Sequence, residues 1–351
     1  METKNSRNAT ANNTVAHSGG RVVYVNGNYV PESEAGVSIF DSAAMFGDFV
    51  FEMTRSFNRK QFKLRAHLER LYYSIRALQI PFDISIDHLE QRVFEVIEHN
   101  QAFMDDDDED RVMINVSRGI VTLYHSIFPC DPGPTLVISS FPLSLTMTAF
   151  ANIYTQGIHA ITPSQRAIPS DLLDPKIKSR SRQHLLVANL QVSLVDDPNA
   201  WALLLDPDGF VTEGTGANFF IVSDGELWTP EPRNILRGIT RAHTMKLAKS
   251  LGLTVREKNL ELYDLLRAEE AFYTSTPACI YPCTRINGNN IGTGAMGMTT
   301  RRLIEAWSDD IGVDIIAQTQ RFGARAQASS VAGANPYRFQ SLKNPGNVRS
   351  V

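Results

Sequence analysis

The sequence predicts an α+β fold in two domains. Its 351 residues are about twice an average domain. Each half carries many short apolar strands and a few helices, without the regular strand–helix alternation of a parallel sheet. No segment repeats elsewhere in the chain. The predicted units are a disordered N-terminal tail over 1–20, a small α+β domain over 21–145, a larger α+β domain over 155–320, and a loosely ordered tail over 321–351.

Taken in order, residues 1–20 are polar and rich in Asn, Ser, Thr and Gly, a composition of disorder. Arg21–Val25 reads as a strand and Asn26-Gly27 as a hairpin turn. A second hairpin turns at Asn58–Lys60, between strands near Val50–Phe57 and Gln61–Leu64. Leu64, Leu68, Leu71, Ile75 and Leu78 then fall at helical spacing, and Pro81 ends that helix. Another helix runs from about Asp87 to His99, with Leu89, Val93 and Val96 on one face. Asp105–Asp110 is an unbroken acidic run; it reads as a solvated loop, because like charges repel and prefer water, with a metal site as the alternative. Strands follow at Val112–Val116 and Leu136–Phe141, before a crossing between domains from Phe141 to about Tyr154. The second half offers strands at Ile158–Thr162, Trp201–Leu205, Asn218–Val222 and Glu269–Thr274, with a turn at Asp224-Gly225. Its helices are Gly238–Leu251 and Thr299–Trp307. Beyond 320 the periodicity fades.

Composition narrows the class. With 43% hydrophobic and 21% charged residues the chain is an ordinary globular protein, large enough to bury a substantial core. A net charge of -4 favours neither nucleic acid nor an anionic membrane as partner. The opening residues carry no secretory signal, and no stretch approaches the roughly 20 apolar residues of a membrane span, so the expectation is a soluble cytoplasmic protein. The cysteines Cys130, Cys279 and Cys283 are odd in number and form no CxxC pair, which argues against a disulfide framework or a zinc site. The histidines show no metal-ligand spacing.

Several segments hold residues able to do chemistry. Pro175-Lys176-Ile177-Lys178-Ser179-Arg180 leads into an apolar helix over Leu185–Leu190. VTEGTGANFF (211–220) sets Glu213 between two strands in a Gly-rich context. RGITR (237–241) starts a helix with Gly238 and Thr240, so free amides point outward there. YTSTPA (273–278) is a hydroxyl-rich turn after a strand. Singly, each has a plainer reading: a surface lysine, a turn, an exposed cap. Together they meet the needs of pyridoxal-phosphate chemistry. These are a lysine to form an imine and move protons, an acid for the pyridine nitrogen, and an arginine, hydroxyls and helix amides for a phosphate.

Their joint order resembles the class IV aminotransferases, the fold type IV family of branched-chain aminotransferases, D-amino acid transaminases, (R)-amine transaminases and aminodeoxychorismate lyases. The resemblance runs from about Val22 to Trp307. It rests on FGDFVFEMTR (46–55), HLERL (67–71), IKS (177–179), VTEGTGANFF (211–220), GITR (238–241) and STPACIYP (275–282). It implies a D-amino acid aminotransferase-like fold, pyridoxal 5'-phosphate as cofactor, and a homodimer with the site near domain and subunit boundaries. It makes Lys178 the Schiff-base lysine, with Lys176 outside the match, and Glu213 the partner of the pyridine nitrogen. Arg70 becomes a phosphate ligand; its plainer reading is a helix arginine paired with an acid. Ile239, Thr240 and Thr276 add phosphate contacts.

For the substrate, the resemblance places Phe51, Met53 and Arg55 on the pocket face of one strand, where period two also sets them together, and Pro277 and Ala278 in a turn beside it. The Tyr-x-Arg pair of branched-chain enzymes is absent from Met113-Ile114-Asn115, and the Arg-x-His of D-amino acid transaminases is broken by Leu123 before His125. Pro277 lacks the backbone donor that branched-chain enzymes use. Arg55 is then either the carboxylate anchor or the partner of a structural acid, with Arg180 and Arg182 in reserve. The implied reaction is ping-pong transamination between an amino acid or amine and a 2-oxo acid. A lyase of the aminodeoxychorismate type is the alternative. Gly292–Gly297 matches GxGxxG only formally, since no strand–helix–strand unit surrounds it; a dinucleotide-dependent oxidoreductase would rest on it alone.

Overall fold

The computed structural model describes residues 19–128, 133–147, 150 and 152–328. Two sheets organise them. The first is six-stranded, in the order β2-β1-β6-β5-β3-β4, from β1 (Val22–Val25), β2 (Asn28–Pro31), β3 (Phe49–Phe57), β4 (Lys60–Gln61), β5 (Asp110–Ser117) and β6 (Thr135–Pro142). Both expected hairpin turns form, although the return strand expected over Gln61–Leu64 is only Lys60–Gln61, because Leu64 already begins a helix. Asn26 and Gly27 (φ 46° and 94°), then Asn58 and Arg59 (φ 50° and 62°), take the two positive φ angles of a tight hairpin turn.

The short helix α1 (Ser42–Phe46) precedes β3, and α2 (Leu64–Ala77) and α3 (Ile86–Gln101) cover one face of the sheet. Leu68, Leu71, Leu89, Val93 and Val96 are buried there against Val112, Ile114 and Val116 of β5. Side chains alternate along a strand. The antiparallel register Phe51↔Asn115, Met53↔Met113, Arg55↔Arg111 therefore puts those six residues on the other face.

After α4 (Ser144–Met147) and α5 (Ile153–Gln156) comes a nine-stranded sheet. Its strands are β7 (Ile158–Ile161), β8 (Ala200–Leu205), β9 (Val211–Gly214), β10 (Asn218–Ser223), β11 (Glu226–Pro230), β12 (Val255–Lys258), β13 (Glu270–Ser275), β14 (Cys279–Ile286) and β15 (Asn289–Asn290). Helices α6 (Gln183–Val192), α7 (Ile239–Ser250), α8 (Leu262–Arg267), α9 (Met298–Ile311) and α10 (Ile315–Ala328) complete it. Phe219, Phe272, Tyr273 and Tyr281 from the sheet and Trp307 from α9 share one core. No helix among the described residues is long and apolar enough to cross a membrane.

Two expectations need correction. The acidic run is only half solvated: Asp105–Asp107 are exposed, but Asp108, Glu109 and Asp110 are buried. Each of those three carboxylates has donors that make burial tolerable. Ser144 donates to Asp108, Ser56 Oγ and the Asn58 amide donate to Glu109, and Gln101 donates to Asp110. The loose tail expected from 321 does not begin there, because α10 continues to Ala328 with Phe322 fully buried. Residues 1–18, residues 329–351 and Cys130 lie outside the described residues; Cys279 and Cys283 are free and buried.

Candidate active site

The site starts from an open strand edge. β4 pairs only with Ser56 and Phe57, so the first half of that β3 edge is available. The segment after Ile177 takes it: the Phe51 amide donates to the Lys178 carbonyl at 2.9 Å, and the Arg180 amide donates to the Phe49 carbonyl at 2.6 Å. An isolated bridge joins Val50 and Ser179. The Lys178 amide also donates to Ser74 Oγ of α2, at 3.2 Å. Lys178 is thus fixed by its backbone, and its side chain enters a cavity lined from both sheets. Its Nζ stands 4.7 Å from the centre of the Phe51 ring. Burial, helped by the charge of Arg70, pulls this amine from 10.5 to about 7.

Glu213 enters the same cavity from β9. Its Oε1 accepts from the Leu236 amide at 2.9 Å and its Oε2 from Asn218 Nδ2 at 2.8 Å. Burial outweighs these donors and pushes the carboxyl up to about 7. Asn218 also explains Gly238: a Cβ there would lie 2.0 Å from Asn218 Oδ1. Gly238 is the N-cap of α7 and no side chain caps that helix start. The first amides of α7, at Ile239 and Thr240, therefore present partial positive charge to the cavity.

Arg70 projects from α2 toward this helix start. Its Nη1 donates to the Arg237 carbonyl at 3.0 Å, while Nε and Nη2 grip Glu52 at 2.6 and 2.8 Å. His67 Nδ1 meets the same carboxylate at 2.8 Å. Burial alone would raise the Glu52 carboxyl, but Arg70 and His67 hold it far below the usual carboxylate range. The result is an aimed cation, an open helix start, the hydroxyl residues Thr240 and Thr276, a buried acid and a buried amine around one space. Such a set can take a phosphate, a ring nitrogen and a carbonyl carbon.

All the residues expected to hold the cofactor line this cavity, as do Phe51, Met53 and Pro277 of the substrate group. Arg55 and Ala278 do not. Arg55 shares the face of Phe51, as the alternation predicts, and stands opposite Arg111, which does line the cavity, but its guanidinium is turned onto protein groups. Its Nη1 donates to the Pro277 carbonyl at 2.6 Å and its Nη2 to Gln318 Oε1 at 2.5 Å. The expected carboxylate anchor is therefore committed to protein groups. Ala278 is buried with its amide on the Tyr281 hydroxyl at 3.0 Å. Of the reserve arginines, Arg182 lines the cavity and donates to the Thr215 carbonyl. Arg180 lies over Phe51, 3.7 Å from the ring centre, and donates to Asn115. Lys176 does not line the cavity and pairs with Asp174 at 2.7 Å, and His125 sits on the Ile120 carbonyl.

Sequence reasoning missed Glu52, His67, Asn218 and Arg111. Glu52 lies on the β3 face of Val50, Thr54 and Ser56 and is fully buried; with polar neighbours at period two, nothing local marked it. Arg111 lines the cavity at 6% exposure with Nη2 3.8 Å from Met53 Sδ; pairing β5 with β3 in register would have found it. The glycine run 292–297 leads into α9, whose Thr299 and Thr300 amides donate to the Glu270 carboxylate at 2.8 and 2.7 Å.

With this geometry in hand, residues 49–286 match the family described as amino-transferase class IV. A putative branched-chain-amino-acid aminotransferase of Methanocaldococcus jannaschii is 36% identical over 290 residues, 82% of this chain and 95% of that protein. A D-alanine aminotransferase of Bacillus licheniformis is 31% identical, over 82% of this chain and 96% of its own. Among solved structures, a T.th. branched-chain amino acid aminotransferase complexed with N-(5'-phosphopyridoxyl)-L-glutamate superposes with a TM-score of 0.71. It is 26% identical and the match covers 83% of this chain and 94% of that one.

Proposed function

The chain belongs to the class IV aminotransferases, and from that premise we propose that it is a homodimeric transaminase that uses pyridoxal 5'-phosphate to pass an amino group between an amino acid or amine and a 2-oxo acid. The observation that carries this reading is the meeting of Lys178, Glu213, Arg70 and the open start of α7 in one cavity. The residues fit the cofactor: no side chain caps the start of α7, and Glu52 fixes the guanidinium that faces it. When bound, the cofactor supplies an aldehyde and an electron-withdrawing ring.

Lys178 has the chemistry for its part. An amine lowered to about 7 has a substantial neutral fraction near neutral pH, so it can be both nucleophile and proton acceptor. Glu213 is fixed through both oxygens by Leu236 and Asn218, so it can hold a proton or a charge at a ring nitrogen without moving. Arg70, the amides of Ile239 and Thr240 and the hydroxyls of Thr240 and Thr276 are the phosphate-binding set. Phe51 and Met53 shape the substrate end. With Arg55 outside, Arg111 and Arg182 are the cations that line the cavity there. A second copy is supported by apolar side chains left exposed on neighbouring segments: Ile39 at 75%, Phe46 at 69% and Leu123 at 77%.

Borohydride reduction of the purified protein followed by peptide mapping tests the assignment. The cofactor should be fixed to the peptide carrying Lys178; a label on Lys176 or another lysine refutes it. Stoichiometric consumption of a 2-oxo acid then separates a transaminase from a lyase, which releases pyruvate without an acceptor.

A further inference from the structure

The turn between β13 and β14 reaches the cavity with Thr276 and Pro277, and it is held from behind. Arg55 Nη1 donates to the Pro277 carbonyl at 2.6 Å, Tyr154 donates to the Ala278 carbonyl at 2.7 Å, and the Ala278 amide donates to the Tyr281 hydroxyl at 3.0 Å. Cys279 closes the turn at a φ of 64°, a left-handed conformation that a residue with a side chain keeps only when its surroundings hold it there. The guanidinium that grips this turn is itself gripped. Gln318 of α10 accepts from Arg55 Nη2 at 2.5 Å and donates to Glu109 at 3.3 Å. Glu109 in turn takes Ser56 Oγ and the Asn58 amide at 2.5 and 2.7 Å. Arg55 is 1% exposed, Glu109 4% and Gln318 5%, so each hydrogen bond is shielded from competing water.

We propose that Arg55 is a positioning residue for the site: it fixes the Thr276-Pro277 turn where that turn lines the cavity, and Gln318 of α10 sets its guanidinium. The arginine does not touch substrate. Its charge is placed against a carbonyl so that the turn keeps one conformation, and α10 completes the site from outside it. This rests on the transaminase reading above, since only there is the turn a substrate contact.

The test uses the cofactor-loaded protein and an unreactive probe, 4-methylvalerate, titrated by calorimetry into wild type, Gln318→Met, Arg55→Met and the double variant. Arg55→Met leaves a buried carbonyl without its donor and puts the fold at risk; Gln318→Met keeps the question open to refutation in that case. Expected is a loss of affinity of about tenfold or more for each single variant, and a double variant no weaker than Arg55→Met, because Gln318 acts through Arg55. The visible absorbance of the loaded cofactor should stay unchanged. Wild-type affinity in Gln318→Met, or losses that simply add in the double variant, overturn the relay. Failure of the wild type to bind any carboxylate would instead remove the transaminase reading and this inference with it.

Discussion

Helices α7 and α9 both start on a glycine pressed against a neighbouring side chain. A Cβ at Gly238 would lie 2.0 Å from Asn218 Oδ1, and one at Gly297 would lie 2.0 Å from the Glu270 carboxyl carbon. The neighbours differ in what they do next. Glu270 turns its carboxylate onto the Thr299 and Thr300 amides, so α9 carries its own anion and has no room for another. Asn218 points its amide nitrogen to Glu213 and the Leu236 carbonyl, and the amides of α7 remain turned to the cavity beside Arg70. A glycine-led helix start becomes an anion site only where the fold withholds its own anion. The glycine spacing, formally stronger before α9, does not carry that information.

If the α7 side is the working one, the largest effect belongs to Lys178. Lys178→Ala should lower turnover by about 10²–10⁴-fold, the range for losing a positioned acid–base group, with cofactor still bound but no longer linked. Glu213→Gln should also lower turnover strongly while retaining cofactor, because the amide keeps the shape and cannot hold the ring proton. Steady-state kinetics beside a visible spectrum reads both, and unaltered turnover in either variant would break the contrast.

Arg70 comes next. Arg70→Ala removes a charge-assisted phosphate contact worth roughly 1.5–3 kcal/mol, so cofactor dissociation measured by fluorescence should weaken by about ten- to a hundredfold. Binding of pyridoxal, which lacks the phosphate, should change far less. Equal losses for both ligands would mean that Arg70 supports the fold and not the phosphate.

Stability should separate the two helix starts by sign. The folded pKa of Lys178, about 7, lies below its ordinary 10.5. The unfolded chain therefore binds more protons than the folded one between those values, and this group's contribution to stability rises with pH across that window. In the cofactor-free protein, Lys178→Met should raise the melting temperature most at or below pH 7, and the gain should shrink as pH rises toward 10.5. A gain independent of pH would show that the methionine merely packs better.

Much of this was legible. The alternation of β3, the Asn-Gly turn, the leucine spacing of α2 and the segment around Lys178 all announce themselves locally. What stayed hidden depends on partners distant in sequence. β14 is buried on both faces and contains Pro282, so it shows no period of two. The inner face of α10 mixes Ile315 and Phe322 with the buried polar Gln318 and Thr319, which erases the apolar spacing that marks a helix. Asp108–Asp110 read as solvated because their donors come from Ser144, Ser56 and Gln101. Arg55 was placed on the right face, but its guanidinium ends on Pro277 and Gln318, and periodicity gives the face of a strand without saying where a long side chain ends.

The smallest effect is the most discriminating, because it concerns the start that should do no chemistry. Glu270 accepts from the Thr299 and Thr300 amides and from Thr300 Oγ1, at 2.8, 2.7 and 2.7 Å. It thereby acts as the cap that Gly297 cannot provide. Glu270→Gln keeps the length of the side chain but loses the charge that suits a helix N-terminus, and its amide nitrogen can no longer accept. The cost should be that of a lost cap, about 0.5–2 kcal/mol of unfolding free energy in urea, opposite in sign to Lys178→Met. Helix α9 packs its Leu303, Ile304 and Trp307 into the core of the second sheet, so the loss should appear as global destabilisation, with cofactor affinity and turnover untouched in the folded protein. A fall in cofactor affinity at full folding would show that the two helix starts are coupled, and the distinction between a filled and an open start would not hold in this molecule.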